Sequence, residues 1–573
     1  MSKETSQAVP APATSRPSTG ASGGLDTVGL KPGNLNIGVV GAGVMGRGIA
    51  QVMAQAGCAV VLHDAAPQAA ERAIESVKQA WQKLADKGKL DAADVAANLL
   101  RLSAATALAE MADCDIVIEA IVERLDAKQA LFAELESLVG PEAILATNTS
   151  SLSVTAIAAG CRHPARVAGL HFFNPVPLMR IVEIIGGART APQTLKTLKA
   201  LVATTSHAGV EVQDTPGFLI NHAGRGYTTE ALRAVQDGVT SFAEVDLIMR
   251  EQVRFTTGGF RLGPFELLDL TGLDVSQPVM ESIYRQFYEE PRFRPSVIGA
   301  QRAAAGLLGR KSGEGFYVYP PAGAAKETGA AAGAGASGMA PADPGAAAAG
   351  SGSAQAAQGA QGQAAVAPSA VPVFAVAEEH APSLTELVER LGGRVVDDPA
   401  EAEHGGFVLI APLGDDASSY AARHGLPAQR TVAIDTLFDP AVNGCRRRSL
   451  MPTVATDPAV LQAAAALFAA DGAAVSVLRD STGFITQRII AMIVSVGSEI
   501  AQQRIARPSD IDLAVRAGLG YPAGPLAMGD ELGPRRILQI LQAIYDNTGD
   551  PRYRPGGWLR RRALLDLSLL TED

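Results

Sequence analysis

His171 and Glu183 are the residues of this chain best placed to move a proton. Glu183 sits inside the apolar run Ile181-Val-Glu-Ile-Ile185, and His171 lies in the preceding segment Leu170-His-Phe-Phe-Asn-Pro-Val-Pro177. A carboxylate in so apolar a run is costly to bury unless it is paired. An imidazole on the neighbouring strand supplies that pairing, and the carboxylate in turn orients the ring. Alone, His171 reads as a hydrogen-bonded structural histidine. Coupled to Glu183 and to a nucleotide motif, it reads as a general base.

That motif lies near the start of the chain. Leu35-Asn-Ile-Gly-Val-Val-Gly41-Ala-Gly43-Val-Met-Gly46 ends an apolar strand in Gly-x-Gly-x-x-Gly and opens a helix. Gly41 permits the tight turn, Gly43 lets the backbone approach a pyrophosphate, and Gly46 lets the helix pack close to the strand. Unpaired N–H groups at the helix start favour the anion. A second strand, Ala59-Val-Val-Leu-His-Asp64, ends in an acid at the spacing of a ribose-binding carboxylate. Asp64 would repel a 2′-phosphate, so NAD is expected over NADP. The bland alternative is a glycine-rich turn in an ordinary α/β domain.

At 573 residues the chain should hold several domains, each able to bury its own core. The net charge of −10 comes without a long basic run, so nucleic acid is not an expected partner and an anionic ligand needs a local site. Cys58, Cys114, Cys161 and Cys445 form no CxxC pair and no metal-ligand cluster. They read as reduced, mostly buried thiols in a reducing cytoplasm, with no metal. No apolar segment is long enough to span a bilayer, so no membrane role is expected.

Residues 1–34 are rich in Ser, Ala, Pro, Thr and Gly and read as a disordered tail without a signal-peptide core. Residues 35–214 alternate strand and helix: Asp115–Ala120, Ala143–Thr147, Val167–Phe173, Arg180–Ile185 and Val210–Val212 read as strands of a mostly parallel sheet. This is the pattern of a Rossmann-type α/β domain. Residues 215–319 change character, with helical patterns over Phe218–Val235 and Phe242–Gln252, and read as an all-helical domain. Residues 320–373, mostly Ala, Gly, Ser, Gln and Pro, read as a flexible linker.

Beyond the linker the chain repeats itself. Asp214-Thr-Pro-Gly-Phe-Leu-Ile-Asn221 recurs as Asp480-Ser-Thr-Gly-Phe-Ile-Thr-Gln487, Leu262-Gly-Pro-Phe265 as Ala523-Gly-Pro-Leu526, and Pro291-Arg-Phe-Arg-Pro295 as Pro551-Arg-Tyr-Arg-Pro555. Residues 480–573 are thus expected to be a second helical domain. Residues 374–479 read as a degenerate Rossmann-like copy, with Phe407-Val-Leu-Ile-Ala-Pro-Leu-Gly414 starting as a strand but without a following glycine motif. In this copy Thr436 falls opposite His171, Arg448 opposite Glu183 and Gln487 opposite Asn221. The second half is expected to be structural, its helical domain packing on the first as an internal pseudo-dimer; a homo-oligomer is the other arrangement considered.

Over residues 36–319 the chain resembles the L-3-hydroxyacyl-CoA dehydrogenases, on Gly41–Ala50, Ile118-Glu-Ala-Ile-Val-Glu-Arg124, Thr147-Asn-Thr-Ser-Ser151, Gly169–Pro177, Asp214–Asn221 and Gly309-Arg-Lys-Ser-Gly-Glu-Gly-Phe-Tyr317. The resemblance implies that His171 takes the 3-hydroxyl proton while hydride leaves C3 for the nicotinamide of NAD, with Glu183 holding His171. It implies that Ser150 and Asn221 touch the reacting oxygen. Glu123, Lys128, Asn174 and Lys311 match positions near the cofactor, and Ser76 and Lys83 lie on the helix that meets the CoA nucleotide. The long form, with its repeated helical domain, resembles bacterial members that act in phenylacetate breakdown. 3-Hydroxyadipyl-CoA or 3-hydroxybutyryl-CoA is therefore the implied acyl-CoA substrate, in phenylacetate or fatty-acid catabolism.

Each residue has a bland reading beside the functional one. Glu123 and Lys128 fit a solvated helix pair, Ser150 a helix cap, Asn221 a buried amide, Lys311 a loop cation, and Ser76 with Lys83 a solvated polar face. For the whole chain, the alternatives are a dehydrogenase of a free hydroxy acid and a non-catalytic NAD-binding scaffold.

Overall fold

The computed structural model describes residues 31–320, 340–341, 371–376, 381–402, 405–442 and 444–573. The tail expected at 1–34 lies outside the described residues up to residue 30, and Pro32–Asn34 form a 3-10 turn. Most of the segment expected as a linker, 320–373, also lies outside them. A strand, Pro372–Val376, begins just inside its end.

The first sheet has eight strands: β1 Asn36–Val40, β2 Ala59–His63, β3 Leu102–Ala105, β4 Ile116–Glu119, β5 Ile144–Thr147, β6 Val167–Phe172, β7 Ile181–Gly186 and β8 Ala208–Gln213. Their order is β3-β2-β1-β4-β5-β6-β7-β8. Strands β4, β5 and β6 are buried along their whole length between helices and are apolar apart from Glu119, Thr147 and His171. Strand order reverses at β1, which pairs in parallel with both β2 and β4. Such a switch point opens a crevice at the carboxyl ends of the strands, where Gly41 follows β1.

All neighbours are parallel except β6 and β7, whose register places His171 directly opposite Glu183. Directly opposed side chains share a sheet face and touch. The pairing inferred from two apolar runs is therefore built into the ladder.

The helix expected from Phe218 starts later. Gly217 (φ +74°) and Phe218 (φ +48°) are both left-handed, so regular helix begins with Ile220–Ala223 and continues as Arg225–Gln236. Phe242–Glu251 follows, capped by the Ser241 hydroxyl, which accepts from the Glu244 N–H at 3.2 Å.

The second half repeats this plan in reduced form. Its six-stranded sheet includes Phe407–Ile410, Thr431–Ile434, Arg447–Pro452 and Ala474–Val477 in that spatial order, again with one antiparallel pair, Thr431–Ile434 with Arg447–Pro452. Ile434 lies opposite Leu450, so the same register carried two residues on sets Thr436 against Arg448, as His171 stands against Glu183. Asp214 and its repeat Asp480 do the same work. Asp214 accepts from the N–H groups of Val154 and Thr155, and Asp480 from those of Ala417 and Ser418, each capping the short helix of its own copy.

The two halves cross over. Helix Phe242–Glu251 packs on strand Arg447–Pro452 of the second sheet, and its repeat Pro508–Leu519 packs on β7 and β8 of the first. Helix Ile485–Gln502 runs against Arg225–Gln236, so closely that a Cβ on Gly226 would come within 2.8 Å of Ile493 Cα. A reciprocal exchange marks an internal two-fold: Arg292 donates to the Arg554 carbonyl at 2.7 Å and Arg552 to the Arg294 carbonyl at 2.9 Å. No described helix is long and apolar enough to cross a membrane.

At the junction Glu230, fully buried, accepts from Arg488 Nε at 2.8 Å and from the Tyr553 hydroxyl at 2.7 Å. Removing one partner of a buried ion pair leaves an uncompensated charge, at a cost of about 3 kcal/mol or more. Arg488→Met is therefore expected to lower the thermal unfolding midpoint by several degrees, measured by calorimetry. An unchanged midpoint would contradict a joint held by this cluster.

Candidate active site

The centre of the site is a buried carboxylate that accepts three hydrogen bonds on its two oxygens. Glu183, fully buried, takes His171 Nδ1 at 2.6 Å on one oxygen and the N–H groups of Leu219 and Ile220 at 3.0 and 2.7 Å on the other. A carboxylate only accepts, so Nδ1 is the donor of this bond, and in the neutral imidazole that leaves the lone pair on Nε2. The left-handed turn at Gly217-Phe218 is what aims two successive N–H groups at Glu183. Phe173 (ring centres 4.3 Å apart) and Phe218 (5.9 Å) wall the imidazole with apolar surface.

Ser150 lies three residues past β5, which pairs with β6, and Asn221 directly follows Ile220, whose N–H bonds Glu183. Among the described residues the Asn221 side-chain amide has no hydrogen-bond partner, and it is half-buried. Ser150 is no helix cap. That role belongs to Ser153, whose hydroxyl accepts from Ala156 N–H at 3.1 Å.

The solvated-pair reading of Glu123 and Lys128 is overturned. Lys128 is 1 % exposed, its Nζ 2.5 Å from Glu119 and 3.3 Å from Glu123. Glu119, at the end of β4, is itself fully buried and also accepts from the Thr147 hydroxyl and the Ile121 N–H, each at 2.7 Å. Glu123 gathers the loop after β5, accepting from the Thr149 hydroxyl at 2.7 Å and the Ser150 and Ser151 N–H groups at 2.8 and 3.0 Å. Burial opposes its charge, but Thr149, Lys128 and the two serines outweigh it and hold its carboxyl below the usual range. Glu119 escaped the sequence reading although it carries the signal that exposed Glu183, an acid in an apolar strand. Asn148, whose Oδ1 accepts from Phe172 N–H at 2.8 Å and so ties β5 to β6, was also missed.

The glycine turn has the geometry of a dinucleotide cradle. Gly41 takes φ +107°, and a Cβ there would lie 2.4 Å from the Ala120 carbonyl oxygen. At Gly46 it would lie 1.7 Å from the Gly41 oxygen, whereas at Gly43, the N-cap of helix Val44–Gln55, it would meet nothing within 4 Å. The first and third glycines thus serve packing, and the second faces open space where a pyrophosphate fits. Asp64 closes the turn, accepting from Ala42 N–H at 2.7 Å, and lines a groove of about 600 Å³ with Gly41 and Gly43.

Other expected residues stand apart from this centre. Asn174 is exposed just beyond β6. Lys311 belongs to the helical domain and pairs with Asp274 at 2.5 Å, both about half exposed. Ser76 accepts from Arg47 at 2.9 Å across two helices of the first domain, and Lys83 is exposed farther along the Ser76 helix.

Comparison with known proteins identifies the family. Residues 36–215 match the 3-hydroxyacyl-CoA dehydrogenase NAD binding domain, and residues 217–319 and again 483–567 match the C-terminal domain of that family. The chain is 34% identical over 530 residues to 3-hydroxyadipyl-CoA dehydrogenase of Escherichia coli K12, covering 92% of this chain and 98% of the relative. It is 37% identical over 290 residues to the mitochondrial hydroxyacyl-coenzyme A dehydrogenase of Sus scrofa, covering 50% of this chain and 91% of that one. A crystal structure of 3-hydroxybutyryl-CoA dehydrogenase from Escherichia coli K12 superposes with a TM-score of 0.74 at 33% identity, covering 93% of this chain and 99% of the other. The chain belongs to the 3-hydroxyacyl-CoA dehydrogenase family, and it oxidises 3-hydroxyacyl-CoA thioesters with NAD.

Proposed function

We propose that His171 Nε2 accepts the proton of the substrate 3-hydroxyl and that Glu183 is its positioning residue. The observation that carries this is the 2.6 Å bond from Nδ1 to a fully buried carboxylate, which fixes both the tautomer and the ring plane. As the proton moves, the ring becomes an imidazolium whose charge Glu183 balances. The glycine turn and Asp64 would hold NAD, which when bound would supply the acceptor for the hydride leaving C3. The Asn221 amide supplies a donor to the oxygen on C3, where charge develops, and Ser150 supplies a second by turning its hydroxyl from Glu123, to which it donates at 3.2 Å. Glu123 and Lys128 hold the loop that carries Ser150, which supports a position for them near the nicotinamide. Asn174 and Lys311 near the cofactor, and Ser76 with Lys83 at the CoA nucleotide, complete the proposed binding set.

The relatives' names point to short acyl chains, 3-hydroxyadipyl-CoA or 3-hydroxybutyryl-CoA. The degenerate second half fits a structural role, with the internal two-fold taking the place of a partner subunit. Four unpaired cysteines suit a reducing cytoplasm.

His171→Gln is expected to lower kcat by roughly 10³-fold with little change in NAD affinity, because it removes a proton acceptor used only in the transition state. NADH absorbance with acetoacetyl-CoA reads this directly, and near-normal turnover would refute the assignment. Gly43→Ala is expected to raise the Kd for NAD at least tenfold while leaving the unfolding midpoint in place, since only ligand occupies the space at that Cβ. Unaltered NAD binding in a titration would place the pyrophosphate elsewhere.

A further inference from the structure

The joint between the two helical domains buries a positive charge with no counter-charge beside it. Arg225 is only 9 % exposed. Its Nε donates to the Asn221 carbonyl at 2.9 Å, and its Nη1, also buried, has no hydrogen-bond partner among the described residues. Two contacts set it beside Tyr521 of the second half. A Cβ on Gly224, the residue before Arg225, would lie 3.4 Å from Leu519 Cδ1, and the ring of Tyr227, two residues after it, lies edge-on at 5.4 Å from the Tyr521 ring. Tyr521 is 5 % exposed, and its hydroxyl is likewise buried without a partner among the described residues.

The groups around Arg225 do not balance it. Burial draws its pKa down to about 10, which still leaves it charged at neutral pH, and the neighbour that favours its charge is the Tyr521 phenol. That phenol is itself neutral, because burial holds its pKa well above the usual value. His222 is neutral too, since burial and the Arg225 charge draw its pKa down to about 3. Among the described residues Arg225 forms no ion pair. A buried cation without a counter-charge is strongly destabilising. A water molecule can meet a free N–H, but it cannot neutralise the charge.

The duplicated copy shows that the joint can be built without these groups. The repeat of Asp214–Asn221 in Asp480–Gln487, carried four residues on, makes Ala491 the counterpart of Arg225, and the repeat of Leu262-Gly-Pro in Ala523-Gly-Pro makes Phe260 the counterpart of Tyr521. The two-fold mate of Arg225 and Tyr521 is therefore Ala491 and Phe260, with neither charge nor hydroxyl. The two polar groups are present together on one side of the joint and absent together on the other, as the two parts of one binding site would be.

We propose that Arg225 Nη1 and the Tyr521 hydroxyl hold a small inorganic anion, chloride, between the helical domains. Both free groups are donors, so their shared occupant is a group that only accepts. Both are also enclosed by buried side chains, which suits a single atom better than a phosphate or a carboxylate. Tyr521 lines a pocket of about 420 Å³ together with the exposed Arg261 and Arg516, and cationic walls of this kind raise the local concentration of anions. The ion neutralises Arg225 and ties Tyr521 of the second half to the helix that follows Asn221.

Calorimetry of the full-length protein tests this, with sodium chloride replacing sodium gluconate stepwise up to about 200 mM at constant ionic strength. The wild-type unfolding midpoint is expected to rise saturably with chloride, by about 1 °C or more. Arg225→Met should lose that dependence. Tyr521→Phe, which restores the side chain found in the mate, should raise the half-saturating chloride concentration roughly tenfold, the effect of losing one hydrogen bond to a charged group. A wild-type midpoint equal in chloride and gluconate, or a chloride dependence unchanged in Arg225→Met, would overturn the proposal. Should Arg225→Met fail to fold, Tyr521→Phe decides it, and an unchanged half-saturation in that variant overturns the site.

Discussion

The structure turns on the need to satisfy one buried carboxylate. Glu183 lies in the middle of an apolar strand, where an unpaired charge would be prohibitive. Its three partners come from two domains: His171 from the adjacent strand, and the Leu219 and Ile220 N–H groups from the start of the helical domain. The bond set that holds the base therefore also fixes how the helical domain meets the sheet. Asn221 directly follows the turn whose N–H groups satisfy Glu183. Moving either domain would break the hydrogen bonds that orient the ring.

The duplicated half shows which features are held by folding and which by chemistry. Asp480 still caps its short helix as Asp214 does, and the antiparallel register is preserved. The position of Glu183 is taken by Arg448, 1 % exposed, which forms a two-pronged bond to Asp471 and donates to the Pro440 and Phe468 carbonyls. Gln487, at the position of Asn221, is spent inside the protein on the Pro412 carbonyl and Asp435. Asp435 in turn accepts from Gln252 of the first half. The former site has been filled with a polar network that joins the halves, a role that backbone-compatible mutation can reach without preserving a reaction.

Much of the catalytic centre was legible in the sequence because its elements carry local signals. The glycine turn follows an apolar strand, and Glu183 and His171 each interrupt one. Packing between distant segments was less legible. Lys128 looks solvated in the sequence because it begins a helix, and only the meeting of that helix with the end of β4 buries it against Glu119. The delayed helix start at Phe218 has no local signal beyond Gly217, since a left-handed phenylalanine is held there by the Glu183 bonds that follow it.

The central claim is that Glu183, through its charge, makes His171 an effective proton acceptor while holding the domains in register. Single-turnover measurement of NADH formation in Glu183→Gln, at saturating NAD and 3-hydroxybutyryl-CoA, tests it most directly. An amide preserves most of the shape but cannot balance an imidazolium, and the loss of the equivalent carboxylate in other acid–base systems costs roughly 10³–10⁴-fold. The account predicts a fall of that order in the hydride-transfer rate, with NAD affinity retained. A rate within tenfold of the wild type would contradict it.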